Sequence, residues 1–187
     1  MLRSIARFVR HAPDRAIHAT RHAAAVEAVA GSSGGTVLFV CHGNICRSPY
    51  AEHALLRDLP GSARGLWQAE SLGFIRPGRP SPAEALAVAA RRGVDLESHR
   101  SRLLTSESVA AARLIYVMST AQRRAILSRF GAEPRRVWVL GDLDPEPIQR
   151  RTIRDPVDQP EEVFETVYDR IDRCIAIIAS QTDRSGT

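Results

Sequence analysis

The stretch Thr36-Val37-Leu38-Phe39-Val40-Cys41-His42-Gly43-Asn44-Ile45-Cys46-Arg47-Ser48-Pro49 decides the reading of the whole chain. Thr36 to Val40 is a short apolar run rich in β-branched residues, the pattern of a buried strand. It runs into Gly43 and Asn44, a pair suited to a tight turn. Pro49 then fits the first turn of a helix, where its missing N–H costs little. A strand, a turn and a helix in so few residues form the opening unit of a parallel α/β sheet.

Outward from this unit the alternation repeats. Ser48 to Leu59 reads as a helix ended by Pro60-Gly61, and Leu66 to Leu72 as a second strand. Ser81-Pro82-Ala83-Glu84 is expected to open a helix, with Ser81 as its cap and Pro82 at its first position. That helix runs to Arg92 and stops at Gly93. Leu114 to Met118 is a third strand, and Ser119 or Thr120 caps a helix that reaches Phe130 and ends at Gly131. Val137 to Leu140 is a fourth strand, followed by a Pro-rich, charged loop from Gly141 to Pro160. The last helix runs from Glu161 to about Ser180, with Val163, Phe164, Val167, Ile171, Ile175 and Ile178 at core spacing. The fold class is therefore α/β: a three-layer sandwich with a four-stranded parallel sheet flanked by helices. Residues 35–187 form this domain. Residues 1–34 are a basic, Ala- and Arg-rich helical extension in which Leu2, Ile5, Phe8 and Val9 recur at helical spacing. Asp14 lies near a helix start, and Gly31 to Gly35 forms a flexible joint.

Composition narrows the classes. The 187 residues are 44% hydrophobic and 25% charged, which excludes wholesale disorder. The longest apolar runs, Leu114 to Met118 and Cys174 to Ala179, are far too short to span a bilayer. Three cysteines are too few for a disulfide scaffold and point to a reducing, cytoplasmic location. The formal charge is +5, and all 26 basic residues are Arg. Residues 1–34 hold five of these against Asp14 and Glu27, so most of the excess belongs to the extension. No nucleic-acid partner is expected for the main domain. The extension fits a targeting segment, a contact with an anionic membrane, a partner-binding helix or a helix docked on the domain. Its many alanines favour docking. Oligomeric state is not encoded in any pattern of the sequence.

Ligands of such sheets sit beyond the carboxyl ends of strands, near a switch in strand order. Chemistry is therefore sought just after Val40. Cys41, five residues and Arg47 can close a ring around one tetrahedral oxyanion. The amides of His42, Gly43, Asn44, Ile45, Cys46, Arg47 and Ser48 would bind it, helped by the positive end of the following helix. Gly43 and Asn44 readily take the positive φ that such a nest needs. A helix N-terminus and a neighbouring guanidinium favour the Cys41 thiolate, hence a nucleophile. Ser48 is placed to donate a hydrogen bond to it, and Arg47 to fork two phosphate oxygens. A zinc site would need about four ligands, and Cys41, His42 and Cys46 supply three with no downstream cluster.

Val40-Cys41-His42-Gly43-Asn44-Ile45-Cys46-Arg47-Ser48-Pro49 resembles the signature of the low-molecular-weight protein tyrosine phosphatases. The resemblance extends over about residues 36 to 180. It includes Ser71-Leu72-Gly73, Gly93-Val94-Asp95 with His99-Arg100-Ser101-Arg102, and Asp155-Pro156 before the last helix. It implies that Cys41 attacks phosphorus to form a cysteinyl-phosphate, while Arg47 and the loop amides hold the phosphoryl oxygens. Asp155 then protonates the leaving phenolate and afterwards activates water. Asp144-Pro145 is a rival Asp-Pro pair, with Asp142 and Asp158 nearby; Asp155 is favoured by its place just before the final helix. The resemblance implies no metal and no cofactor, a phosphotyrosine protein or small aryl phosphate as substrate, and inhibition by phosphate and vanadate. An acid that must be protonated beside a sulfur that must be ionised predicts a bell-shaped rate profile on the acidic side of neutral.

The departures bear on substrate choice. Val157 and Asp158 stand where many members carry an aromatic wall for the phosphotyrosine ring. The loop Phe74-Ile75-Arg76-Pro77-Gly78-Arg79-Pro80 lacks the frequent Trp, so Phe74 is the expected substitute wall. Arg76 and Arg79 are expected to be solvated. The related arsenate reductases need two further cysteines, and Val117-Met118-Ser119-Thr120 occupies their place. Protein-arginine phosphatases are similar but tend to carry Thr where this chain has Ile45. A catalytically silent phosphate-binding module is the competing reading from outside enzymology. Cys46 is the candidate redox partner of Cys41, Cys174 reads as core, and His99 as a structural hydrogen-bonder.

Overall fold

Residues of β1 (Gly35–Cys41) alternate between two hydrophobic layers: Val37, Phe39 and Cys41 enter one, Leu38 and Val40 the other. A strand buried on both faces must be central and covered by helices on each side. The computed structural model describes residues 15–146, 148 and 150–183, so the expected pattern at Leu2 to Val9 and the start at Asp14 lie outside the described residues. β1 pairs in parallel with β2 (Trp67–Gly73) on one edge and with β3 (Leu114–Val117) on the other. β3 pairs in parallel with β4 (Val137–Val139), giving the order β2-β1-β3-β4. The chain turns one way from β1 to β2 and the other way to β3. The reversal therefore lies at the carboxyl end of β1.

Six helices among the described residues cover the sheet: α1 (His18–Ala30), α2 (Arg47–Asp58), α3 (Ala83–Arg91), α4 (Ser106–Ala111), α5 (Thr120–Phe130) and α6 (Glu161–Asp183). One layer gathers Ala25 and Val29 of α1, Tyr50 and Leu55 of α2, Val88 of α3, and Ile171, Ile175 and Ile178 of α6. The other gathers Val109 of α4 and Ile126 of α5. Each fully buried aliphatic side chain contributes about 1.5–3 kcal/mol. The rings of Tyr50 and Tyr168 stack at 3.7 Å and tie α2 to α6. The Tyr50 hydroxyl donates to Asp172 at 2.8 Å.

The local signals mostly match. Ser119 Oγ accepts from Gln122 N to cap α5, and Gly131 ends that helix with φ 62°. Two expectations fail. Ser81 does not cap α3, which starts at Ala83 after an extended Pro82 with no side-chain cap bond. Ser81 is instead buried, and its hydroxyl has no protein partner among the described residues. The Gly31 to Gly35 segment is not a free joint. Ser32 N donates to Val29 O, Gly35 N donates to Leu66 O, and Arg113 Nε donates to Ser32 Oγ. Helix α4 has no counterpart in the sequence reading. It is short, and Val109 is its one buried residue.

Candidate active site

Between Cys41 at the end of β1 and Arg47 at the start of α2, the chain crosses the carboxyl edge of the sheet. Asn44 makes the turn, with φ 51°. Gly43 was expected to share that conformation and does not, so the turn rests on the one residue whose short amide tolerates it. The glycine that the loop requires is Gly73. A Cβ there would meet the backbone nitrogen of Asn44 at 2.9 Å, so the loop lies against the end of β2 only because that residue has none.

Cys41 is buried, and its sulfur takes two hydrogen bonds: from Asn44 N–H at 3.2 Å and from Ser48 Oγ at 3.1 Å. Both donors aim positive hydrogen at the sulfur, the arrangement that stabilises a thiolate. Asn44 is held on every side. Its Nδ2 donates to Ser48 Oγ at 3.0 Å and Ser71 Oγ at 2.9 Å, and its Oδ1 accepts from Arg102 N at 2.8 Å. Its carbonyl accepts from His99 Nε2 at 2.8 Å. Burial lowers the His99 pKa, and since the Asn44 carbonyl can only accept, Nε2 carries the proton of that bond. Ser71 Oγ donates onward to Glu52 at 2.5 Å. Burial pushes the Glu52 carboxyl up, opposed by the Ser71 hydroxyl and by Arg102. Ser71 and Glu52 were not assigned this role from sequence. The one local signal is that Glu52 follows Ser48 by a single helical turn, on the same face of α2.

Arg47 is 5% exposed. Its Nη1 donates to Ile153 O at 3.1 Å, and its Nη2 pairs with Asp155 Oδ2 at 2.5 Å. Its buried Nε has no protein partner among the described residues. An unpaired buried donor on a guanidinium that lines the same cavity as Cys41 suits an anion. The loop borders a cavity of about 110 Å³, whose other walls are Ile75, Arg79, Asp155 and Val157. It is a slot for one small group rather than a cleft. Among the described residues, no group of three or more His, Cys, Asp or Glu could hold a metal ion.

The structure separates the aspartates. Asp155 is half exposed and lines the slot. Asp144 is buried, with its carboxylate on Arg170 at 2.9 Å and Arg173 at 2.9 Å. Burial alone would raise its carboxyl. The Arg173 hydrogen bond, the Arg170 charge and the Glu146 amide outweigh burial and hold it below the usual range. Asp142 is buried against Arg151 at 2.6 Å, and Asp158 is exposed.

The expected wall at Phe74 is corrected. Phe74 packs against the layer built on Leu38 and Val40, and the slot is lined instead by its neighbour Ile75, with Val157 opposite. Arg79 is also not simply solvated: its Nη2 donates to Gly43 O at 3.0 Å and it lines the slot. His42 is exposed. Cys46 is buried at the N-terminus of α2, where burial, more than the nearby Cys41, pushes its thiol up. Cys174 is fully buried in α6, and its thiol is likewise pushed up by burial.

Comparison with known proteins puts the same residues in context. The sequence model of the low molecular weight phosphotyrosine protein phosphatases matches residues 36–185. The probable low molecular weight protein-tyrosine-phosphatase EpsP of Ralstonia nicotianae is 36% identical over 74% of this chain and 89% of its own. Wzb of Vibrio vulnificus, solved with benzylphosphonate, superposes with TM-score 0.67 at 32% identity, over 78% of this chain and 97% of its own. The arginine phosphatase YwlE of Geobacillus stearothermophilus superposes with TM-score 0.69 at 28% identity, over 80% of this chain and 93% of its own.

Proposed function

The chain belongs to the low molecular weight phosphotyrosine protein phosphatases and is therefore a phosphoric monoester hydrolase of the cysteine-nucleophile type, in which we propose that Cys41 is the nucleophile, Arg47 the phosphate clamp and Asp155 the proton donor. The observation that carries this assignment is the convergence on one slot of a doubly hydrogen-bonded sulfur, a guanidinium with an unpaired buried Nε and a half-exposed aspartate.

The chemistry follows from that arrangement. The thiolate attacks phosphorus in line with the ester oxygen, and the P–O bond breaks as the S–P bond forms. The amides of residues 42 to 48 and the fork of Arg47 face the equatorial oxygens, where charge is largest in the transition state. Asp155 gives its proton to the departing oxygen. It then takes one from the water that cleaves the S–P bond, regenerating thiolate and releasing phosphate. Asp155 and the phosphoryl group share Arg47 Nη2, so binding phosphate loosens the 2.5 Å ion pair and frees the carboxyl to act. Phosphate and vanadate are expected to inhibit by occupying the same slot.

Ile45, Ile75 and Val157 give the slot aliphatic walls that suit a flat phenyl ring better than a charged guanidinium, and benzylphosphonate in the similar Wzb has that shape. Phosphotyrosine is the preferred substrate on this ground. Phosphoarginine is the second reading, because YwlE is a structural neighbour and Asp155 could pair with a guanidinium. In a direct comparison, kcat/KM for a phosphotyrosine peptide is expected to exceed that for the matching phosphoarginine peptide by at least about tenfold, as expected of aliphatic walls around a charged group. The opposite order would transfer the assignment to the second reading.

Cys46 is proposed to protect the nucleophile. Peroxide converts the Cys41 thiolate to a sulfenic acid, and Cys46 displaces water from it to leave a disulfide that dithiol reduces. Burial keeps Cys46 protonated and makes this closure slow. Peroxide-treated Cys46→Ser is expected to regain less activity with dithiol than the natural chain, and equal recovery would refute the role. No helix of the described residues is long and apolar enough to cross a membrane. A membrane contact through residues 1–34 would show as liposome co-sedimentation lost on their removal.

A further inference from the structure

Helix α1 lies outside residues 36–185, yet it is bonded to the segment that leads into the loop bearing Asp155. Two histidines one turn apart face the short 3-10 turn Leu140–Leu143 that follows β4. His18 Nε2–H donates to Asp144 O at 3.0 Å, and His22 Nδ1–H donates to Asp142 O at 3.1 Å. The carbonyls accept, so each imidazole carries its proton on the bonded nitrogen. The helix is anchored beneath them by Ala25 and Val29, both fully buried against the core shared with α6.

The same two aspartates reach forward with their side chains. Asp142 takes Arg151 in a two-pronged bond, Nε and Nη2 each at 2.6 Å. Asp144 takes Arg170 Nε at 2.9 Å, and that guanidinium also donates to Thr152 O at 3.2 Å and Arg150 O at 2.8 Å. Residues 150 to 152 are thus fastened, through Asp142 and Asp144, to the turn that α1 holds. Ile153 follows, with its N–H on Met118 O and its carbonyl on Arg47 Nη1, and Asp155 comes two residues later. Each contact between segments is a hydrogen bond or an ion pair between named atoms, and the chain itself carries the path from Thr152 to Asp155. The path runs from a helix outside the matched family region to the proton donor.

We propose that His18 and His22 are positioning residues for the reaction: through the carbonyls of Asp144 and Asp142 they fix the base of the loop and so set the Asp155 carboxyl over the phosphate ring. The cysteine and the amide ring sit on β1 and α2 outside this brace, and Arg47, on α2, touches the braced loop only at Ile153 O and Asp155. Phosphate binding and attack by sulfur remain intact without it, and proton delivery to the leaving group suffers.

The proposal rests on the assignment of Asp155 as the proton donor, and the test keeps the two apart. The full chain, His18→Ala/His22→Ala, the donor-retaining His18→Gln/His22→Asn and Asp155→Asn are assayed on para-nitrophenyl phosphate and on phenyl phosphate, with inhibition by inorganic phosphate measured alongside. Gln places a donor near the former Nε2 and Asn near the former Nδ1. The alanine pair is expected to lose about tenfold in kcat on phenyl phosphate and much less on para-nitrophenyl phosphate, whose good leaving group needs little proton. Its KM stays unchanged, phosphate inhibits it at least as strongly, and the donor-retaining pair recovers most of the loss. An equal loss on both substrates, a loss in phosphate affinity, no loss at all, or no recovery by the donor pair overturns the brace. If Asp155→Asn shows no leaving-group dependence, the proton donor is misassigned and that reading fails instead. If the double alanine chain does not fold, His22→Ala against His22→Asn gives the same comparison on one bond.

Discussion

Cys41→Ser is expected to lower kcat on aryl phosphates by on the order of 10⁴- to 10⁶-fold, the scale on which deleting a covalent nucleophile is felt. The serine hydroxyl is nearly isosteric and can still accept from Asn44 N and Ser48 Oγ. It does not ionise near neutrality, so the electron pair that forms the bond to phosphorus is withheld. The groups that hold the oxyanion are elsewhere: Arg47, with its unpaired Nε, the loop amides and the start of α2. Inorganic phosphate should therefore bind the variant within a few-fold of the natural chain. Rapid quenching with labelled substrate should trap a phosphorylated protein from the natural chain and none from the variant. Surviving turnover would place the nucleophile on another residue. Loss of phosphate binding would mean that the sulfur holds the ring together rather than attacking from it. Absence of turnover in the natural chain would revive the silent binding module.

Much of this site could be read from sequence because its parts are contiguous. Cys41 to Ser48 is one loop, its geometry follows from the strand before it and the helix after it, and both have strong local signals. The four strands were legible for the same reason: β1 and β3 are uninterrupted apolar runs, and Gly131 and Pro60 punctuate the helices. What escaped depends on contacts between distant segments. Whether Phe74 or Ile75 faces the slot depends on the side to which the chain turns after Gly73, which no local pattern states. Ser81 has the residue type of a cap, but the helix begins at Ala83 with the extended Pro82 in the cap position, so Ser81 lies one residue too early and is buried instead. Gly31 to Gly35 has the composition of a linker, but Leu66 O and Arg113 tie it down from more than thirty residues away. The ladder from Asn44 through Ser71 to Glu52 joins a loop, a strand and a helix, and sequence shows its members without showing that they meet.

Asp155→Asn is expected to lower kcat on phenyl phosphate by about 10²- to 10⁴-fold, the usual range for general acid catalysis, and on para-nitrophenyl phosphate far less. The same variant should bind inorganic phosphate about threefold to fivefold more tightly. The carboxylate paired with Arg47 Nη2 at 2.5 Å competes with the anion for that donor, and a half-exposed pair of this kind is worth up to about 1 kcal/mol. A weaker enzyme with a stronger grip on product is the signature of an acid that doubles as a placeholder. Asp144→Asn makes the contrast. Its carboxylate faces two guanidiniums rather than the slot, so the change strands Arg170 and Arg173 and costs stability, about 3 kcal/mol. Its kcat should fall by no more than about tenfold, through slackening of the loop. The pH dependence separates the two further. The folded protein holds the Asp144 carboxyl below its unfolded value, so its contribution is complete above that unfolded value and is lost as pH falls through the depressed folded one. Melting temperature against pH should therefore lose part of its acid limb in Asp144→Asn. Should Asp144→Asn abolish turnover on phenyl phosphate at an unchanged melting temperature, while Asp155→Asn stays active, the two aspartates exchange roles and the proton comes from the Asp144 side of the loop.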